Sequence, residues 1–356
     1  MPRNKGIIVM TALLVAFALP AAATAQQDGE SQYQQNVEVS ATEAEITVER
    51  AIEDRSAQVV NSLDTTEGLL SVEASAATGA SSAESTVKVR LQQLVEYVDE
   101  DEDGQYDADE AVKSSWLLSE GSEAQIDGPE NGTVQWQALN ESDIESADGV
   151  DGKHVRGQAI FTTQDPVQNL NDLLEGAGNR TFTLDLYMFE APTTYNGSEI
   201  LPTQVHVDAS VDNYPWAGEG TRLALVTTTE AESLAQEEEM IHGVETVQTF
   251  EGLGVSLSYT WEETATVDDA EEAAHSVVLE DEVEEDAPEG TSVERSLATS
   301  YAHGEAIQHA QLMGATFHLE EDGFIGSASQ EDIPSVGLIG LLAAAGVSLA
   351  LARRFA

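Results

Sequence analysis

Seven residues between Asp99 and Glu110 have the types and the spacing to grip a hard cation. Asp99, Asp101 and Asp103 place carboxylates at positions 1, 3 and 5 of a twelve-residue stretch, and Gly104 stands at position 6, where the chain must turn sharply. Gln105 supplies a backbone carbonyl at position 7, Asp107 can hold a bridging water at position 9, and Glu110 closes the set at position 12 with two oxygens. Calcium wants six to eight oxygen ligands, and alternate carboxylates on a tight turn can wrap it. Tyr106 adds an apolar side chain at position 8. A solvated acidic turn is the bland alternative in so acidic a chain. The complete register of donors around Gly104 favours bound Ca2+.

Other chemistry is thinner. His303 and His309 flank Glu305 in Tyr301-Ala-His-Gly-Glu-Ala-Ile-Gln-His309, residue types that can hold a transition metal. Their spacing matches no standard metal motif, so ordinary hydrogen-bonded histidines are the preferred reading. Asn131, Asn140, Asn179 and Asn196 each begin an Asn-x-Ser/Thr sequon, an acceptor for glycan on the surface of an exported chain. There is no Gly-x-Ser-x-Gly elbow, no His-Glu-x-x-His, no phosphate loop and no dinucleotide fingerprint. No catalytic residue is assigned. A hydrolase using paired carboxylates stays open, because what counts there is separation in space. A ligand-binding ectodomain is the other alternative.

Composition narrows the setting. The 356 residues hold 14 Lys plus Arg against 66 Asp plus Glu, a formal net charge of −52, and the lysines are only Lys5, Lys88, Lys113 and Lys153. Such a surface repels phosphates, so no nucleic-acid partner is expected. A hydrophobic share of 41% with four Trp and eight Tyr can build a core, unlike a disordered polyacid. The absence of cysteine removes disulfides and sulfur-ligated metals. Acid excess with scarce lysine resembles proteins of halophilic archaea. The physics agrees: at about 1 M salt the Debye length is ~3 Å, and self-repulsion is screened.

Both termini read as targeting segments. Arg3 and Lys5 precede the apolar run Ile7–Leu19 and then Ala23-Thr24-Ala25, the layout of a signal peptide spanning residues 1–25. At the far end, residues 333–356 carry an apolar run from Val336 to Ala352 followed by Arg353 and Arg354, long enough for a transmembrane helix in a thin bilayer. The arginines favour the cytoplasmic side, which leaves residues 26–332 outside the cell. Pro334-Ser335-Val336, the helix and the terminal arginines together resemble the sorting tails of haloarchaeal surface proteins. In that family an archaeosortase removes the tail and a lipid anchor replaces it. The usual motif is Pro-Gly-Phe, so a retained membrane anchor stands beside that reading. Either way the chain is attached to the envelope, with surface-layer or other envelope components as its neighbours.

The elements that must position the acidic stretch read as strands. Apolar and polar residues alternate in Val37-Glu-Val-Ser40, Glu45–Glu49, Gly132–Gln137, Ala159–Thr163, Arg180–Phe189, Gln204–Val211, Thr221–Val226 and Gly254–Trp261. Gly, Pro and Asn punctuate them. The fold class is mainly β, an antiparallel sandwich or large folded sheet with minor helices at Asp165–Glu175 and Glu230–Met240. Ala76–Ser85 reads as a small-residue connector. Val267–Pro288 reads as an acidic hairpin or loop with Ser276–Leu279 as its one strand-like piece. The approach to Asp99 is ambiguous: Val87, Val89 and Leu91 alternate like a strand, whereas Leu91, Leu94, Val95 and Val98 are spaced like a helix. Helices there, with Ala108–Leu118 as the second, would make an EF-hand; strands would make an EF-hand-like calcium loop inserted in a β domain. The layout of acidic loop, Tyr214-Pro-Trp216, Arg222-Leu-Ala-Leu225 and closing Ser300–His309 is similar to a group of uncharacterised haloarchaeal secreted proteins. The resemblance implies a shared β architecture and no established activity.

Overall fold

The computed structural model describes residues 34–52, 55–78, 81–119, 121–163, 180–233, 247–252, 255–284 and 291–317. The expected signal peptide, the C-terminal tail, the helix at Asp165–Glu175 and the sequon at Asn179 lie outside these residues. What is described is mainly β, and among the described residues there is no helix.

The chain opens as a meander: β1 (Gln34–Val39), β2 (Glu43–Ile52), β3 (Arg55–Asp64), β4 (Leu69–Thr78) and the long β5 (Ser81–Val98), each antiparallel to the one before. Next come β6 (Ala111–Leu117), β7 (Glu130–Trp136), β8 (Asn140–Glu145) and β9 (Asp151–Thr163). They are followed by β10 (Thr181–Phe189), a small hairpin of β11 (Thr193–Tyr195) and β12 (Ser198–Ile200), then β13 (Gln204–Asp212) and β14 (Arg222–Ser233). The last third holds β15 (Val247–Gly252), β16 (Val255–Trp261), β17 (Thr264–Val267), β18 (Ala270–Ala273), β19 (His275–Glu284), β20 (Thr291–Tyr301) and β21 (Ala306–Phe317).

Nineteen of these strands join in one sheet. One wing runs β1-β2-β3-β4-β5-β14-β20-β19, and the other runs β6-β7-β9-β10-β13-β21-β16-β15. The pairing of β5 with β6 joins them, and β6 with β7 is the one parallel pair among the described residues. Alternation then does the folding work. The inward residues of one wing (Ile46, Val59, Leu70, Val89, Leu225) share a single apolar core with those of the other (Phe182, Leu184, Val207, Leu257, Met313). Burying each such side chain contributes roughly 1.5–3 kcal/mol. Without cysteine, this core and the ladders hold the domain.

The segment entering the acidic stretch is a strand, and its mixed periodicity has a cause. Opposite β14 the register of β5 shifts at Val226/Thr227, leaving Gln92 as an extra residue between Leu91 and Gln93. A bulge moves the side-chain phase by one. Leu91 and Leu94 therefore both face the main core, while Val95 and Tyr97 face a second, smaller core with Tyr106, Ile126, Ala224, Val226 and Ala298. The three-residue step that mimics a helix is a bulge in a strand.

Three other expectations need correcting. Glu230–Ser233, the start of the expected helix at Glu230–Met240, is the end of β14, where β5 and β20 hydrogen-bond it from both sides; the rest lies outside the described residues. Ala76–Ser85 is largely strand, because β4 and β5 stay paired out to Thr78↔Ser81. Val267–Pro288 carries more strand than one short piece, namely β18 and all of β19. Asn131 lies in β7, and exposed Asn140 opens β8. Asn196 sits at the exposed tip of the β11–β12 hairpin, where φ is +49° for Asn196 and +86° for Gly197, as a two-residue Asn-Gly hairpin turn requires.

Candidate metal centre

The twelve residues Asp99–Glu110 form the whole connection between β5 and β6, whose last pair is Val98↔Ala111. Strands flank the loop on both sides, so Ala108–Leu118 supplies no helix. Two β-strands thus fix the ends of the loop at ladder spacing, and Tyr106 fixes its middle. Tyr106 is buried in the smaller core and meets Tyr97 edge to face, with ring centroids 5.3 Å apart. Such a pair adds about 0.5–1.5 kcal/mol beyond its burial.

Within that frame, Asp99, Asp101 and Asp103 each present a carboxylate oxygen, all within 4.8 Å of one another. They are the only group of three or more candidate ligands among the described residues. The loop backbone organises them. The Gly104 N–H donates to Asp99 Oδ2 at 3.0 Å, the Asp103 N–H to Asp101 Oδ1 at 3.3 Å, and the Gln105 N–H to Asp103 Oδ1 at 2.7 Å. Gly104 has φ +84°, the left-handed turn expected at position 6. Glu110 is not in the triad. Its Oε1 accepts the Glu100 N–H at 3.0 Å and its Oε2 the Asp107 N–H at 2.9 Å, which ties the end of the loop back to its start. Gln105 is half-buried, and Asp107 is exposed beside the triad.

The electrostatics are those of a site short of positive charge. The Asp107 carboxyl is raised, first by loss of hydration and then by Asp103 and Asp101. Glu110 is also raised, first by burial and then by Asp99 and Asp107, while its two backbone hydrogen bonds oppose the rise. Carboxyls raised by folding bind protons more tightly in the folded chain, so they cost stability at neutral pH and cost less as pH falls. Asp99 Oδ1 is closed off from water and has no hydrogen-bond partner. A cation at the triad would answer both facts.

Two side chains behind the loop were not legible as part of it. Arg222, the first residue of β14, stands opposite Tyr97 and places Nε 3.8 Å from Asp99 Oδ2. The ring of His275, from β19, lies against Gly104, where an added Cβ would come within 2.8 Å of Cδ2. The available hint was scarcity: each of the 14 basic residues in a chain of charge −52 is worth tracing to a partner.

Three carboxylates away from the loop have their partners close by. Glu96, fully buried in β5, accepts four hydrogen bonds, from Ser114 Oγ (2.8 Å) and the Ala217 N–H (2.7 Å) at Oε2, and from the Gly218 N–H (2.9 Å) and Thr221 Oγ1 (2.7 Å) at Oε1. Asp185 takes Arg156 through both oxygens at 2.7 and 3.0 Å and His154 Nε2 at 2.6 Å. Burial pushes the Asp185 carboxyl up, but those partners outweigh it and hold it below its ordinary value. Asp208, directly across the ladder from Asp185, pairs with His206 at 2.9 Å.

The two histidines of the closing motif are held in separate contacts. His309 is buried in β21; its Nε2–H donates to the Glu262 carbonyl at 2.8 Å and its Nδ1 accepts the Tyr301 hydroxyl at 2.9 Å. His303 instead stacks on Trp216 with centroids 3.9 Å apart. No protein-family model matches this chain, and no curated protein matches it.

Proposed function

We propose that this chain is an exported, envelope-anchored β protein whose Asp99–Glu110 loop binds Ca2+ as a structural ion, with a structural or adhesive role at the surface of a halophile. The observation that carries the metal assignment is the convergence of Asp99, Asp101 and Asp103 on a turn closed at Gly104, with Asp99 Oδ1 buried and unpartnered. On this reading Asp107, Glu110 and the Gln105 carbonyl are the further ligands called on to complete the shell. A loop clamped by strands and by Tyr106 has no helix pair to swing open, which suits a structural ion better than a sensor. Export and anchoring rest on the two terminal segments, with glycan at the Asn131, Asn140, Asn179 and Asn196 sequons.

The test is a calcium titration of the full-length chain in molar KCl, followed by thermal unfolding, for wild type, Asp99→Ala and Glu110→Ala. With dissociation constants of about 10⁻⁴–10⁻³ M, typical of extracellular modules, 10 mM calcium stabilises the wild type by roughly 1.4–2.7 kcal/mol. Both variants lose that increment. Equal stability of all three, with and without calcium, would leave only a solvated turn.

A further inference from the structure

We infer that Arg222 is the built-in counter-charge of this loop: it steadies Asp99 when no ion is bound and opposes the ion when one is, so that it sets the calcium affinity low. The inference rests on the calcium reading above. Arg222 is well sheltered, with 21% of its side chain exposed against 11% for Asp99. The guanidinium reaches under the loop from a neighbouring strand, Nε standing 3.8 Å from Asp99 Oδ2 and Nη2 3.4 Å from where a Cβ on Gly104 would be. At 3.8 Å the two groups attract as charges but do not hydrogen-bond. Both Arg222 Nε and Asp99 Oδ1 are buried without hydrogen-bond partners. The strand pairing Arg222↔Tyr97 fixes the arginine's backbone behind the loop, and from there its side chain stands off from Asp99 at 3.8 Å.

That stretched geometry gives Arg222 opposite effects in the two states. In the metal-free loop it is the nearest positive charge to a carboxylate that lacks one. In the loaded loop it is a positive charge held beside a divalent cation sharing the same carboxylate. Burial keeps salt from screening the effect fully, even in brine. An arginine that merely shaped the loop would behave differently: its removal would weaken calcium binding together with metal-free stability.

The test uses the full-length chain in molar KCl, with calorimetric calcium titration and chelator-treated thermal unfolding for wild type, Arg222→Gln and Arg222→Lys. Arg222→Gln is expected to unfold at lower temperature without metal yet to bind calcium about tenfold more tightly. Arg222→Lys, which keeps the charge, is expected to bind within about twofold of wild type. Unchanged or weaker binding by Arg222→Gln overturns the inference, as does a Lys variant that matches Gln. Should Arg222→Gln not fold without metal, refolding on calcium addition supports the inference, and failure to fold in saturating calcium overturns it. Wild type that binds no calcium sinks the underlying reading as well, and this distinguishes the two failures.

Discussion

Glu96 and Asp99 lie three residues apart, one inside β5 and one just past its end. Glu96 is wholly buried, yet two backbone N–H groups and two hydroxyls meet its oxygens at 2.7–2.9 Å. Asp99 is nearly as sheltered, yet it has one backbone donor, a guanidinium at 3.8 Å and an oxygen with nothing to accept from. Asp185, like Glu96, is met by protein donors; those of Asp185 hold its carboxyl down despite burial, whereas the carboxyls of Asp107 and Glu110 are raised. The signs differ with pH accordingly. Asp185 contributes stability above the ordinary carboxylate range and loses it as pH falls through its depressed value, while the loop carboxyls gain on acidification. At Glu96 and Asp185, then, side chains and backbone of the protein supply the donors, whereas at Asp99 they leave one oxygen without any.

The sharpest way to break that contrast is at its satisfied end. Glu96→Ala strips the acceptor from two N–H groups and two hydroxyls in the interior, and is expected to cost about 3 kcal/mol or more in denaturant unfolding. It should do so equally with and without calcium, because Glu96 anchors the Tyr214–Thr221 segment and is no ligand. A loss that calcium repairs would erase the distinction drawn between Glu96 and Asp99.

His309 extends the comparison to a base. Burial lowers its pKa to about 4, against the Glu262 carbonyl's opposing pull, and so the folded chain holds it neutral. The unfolded chain takes up the proton from near pH 6.5 downward, so stability falls as pH drops from about 6.5 to 4, by roughly 1.4 kcal/mol per pH unit if His309 acts alone. His309→Gln is expected to flatten that slope in unfolding curves taken between pH 7 and 4.5. An unchanged slope would assign the acid sensitivity to other groups.

The smallest expected effect is at Gly104. Gly104→Ala places a Cβ at φ +84° and 2.8 Å from the His275 ring, so it is expected to cost about 1–2 kcal/mol. Calcium titration should show weakened binding as well, since a strained turn misaims the residue-104 N–H that Asp99 accepts. Intact binding would mean that the turn is less tightly coupled to the triad than its geometry implies.

Much of the fold was legible because a strand with one apolar face writes period two into its residues, even where the polar face is buried too. β10, β13 and β16 show it plainly in Phe182-Leu184-Leu186, Val205-Val207-Ala209 and Leu257-Tyr259-Trp261. Legibility failed where something non-local intervened. Gln92 bulges only because β14 lies alongside, and that bulge made Leu91–Val98 look partly helical. Glu230–Ser233 has helix-forming residues, but β5 and β20 claim its backbone. In Ala76–Ser85 small residues hid two paired strands, since nothing in their side chains shows a buried face.

The sequence by itself determined the oxygen-bearing residues of the loop, its turn at Gly104, the acid excess and the mainly β class. These follow from residue types at short separations, where spacing along the chain is spacing in space. Only the tertiary structure decided that strands flank the loop, that Tyr106 pins it to a second small core, and that Arg222 and His275 stand behind it. Those depend on which strands become neighbours. That choice is made by the burial of two whole wings against one another, and no short stretch of residues carries it.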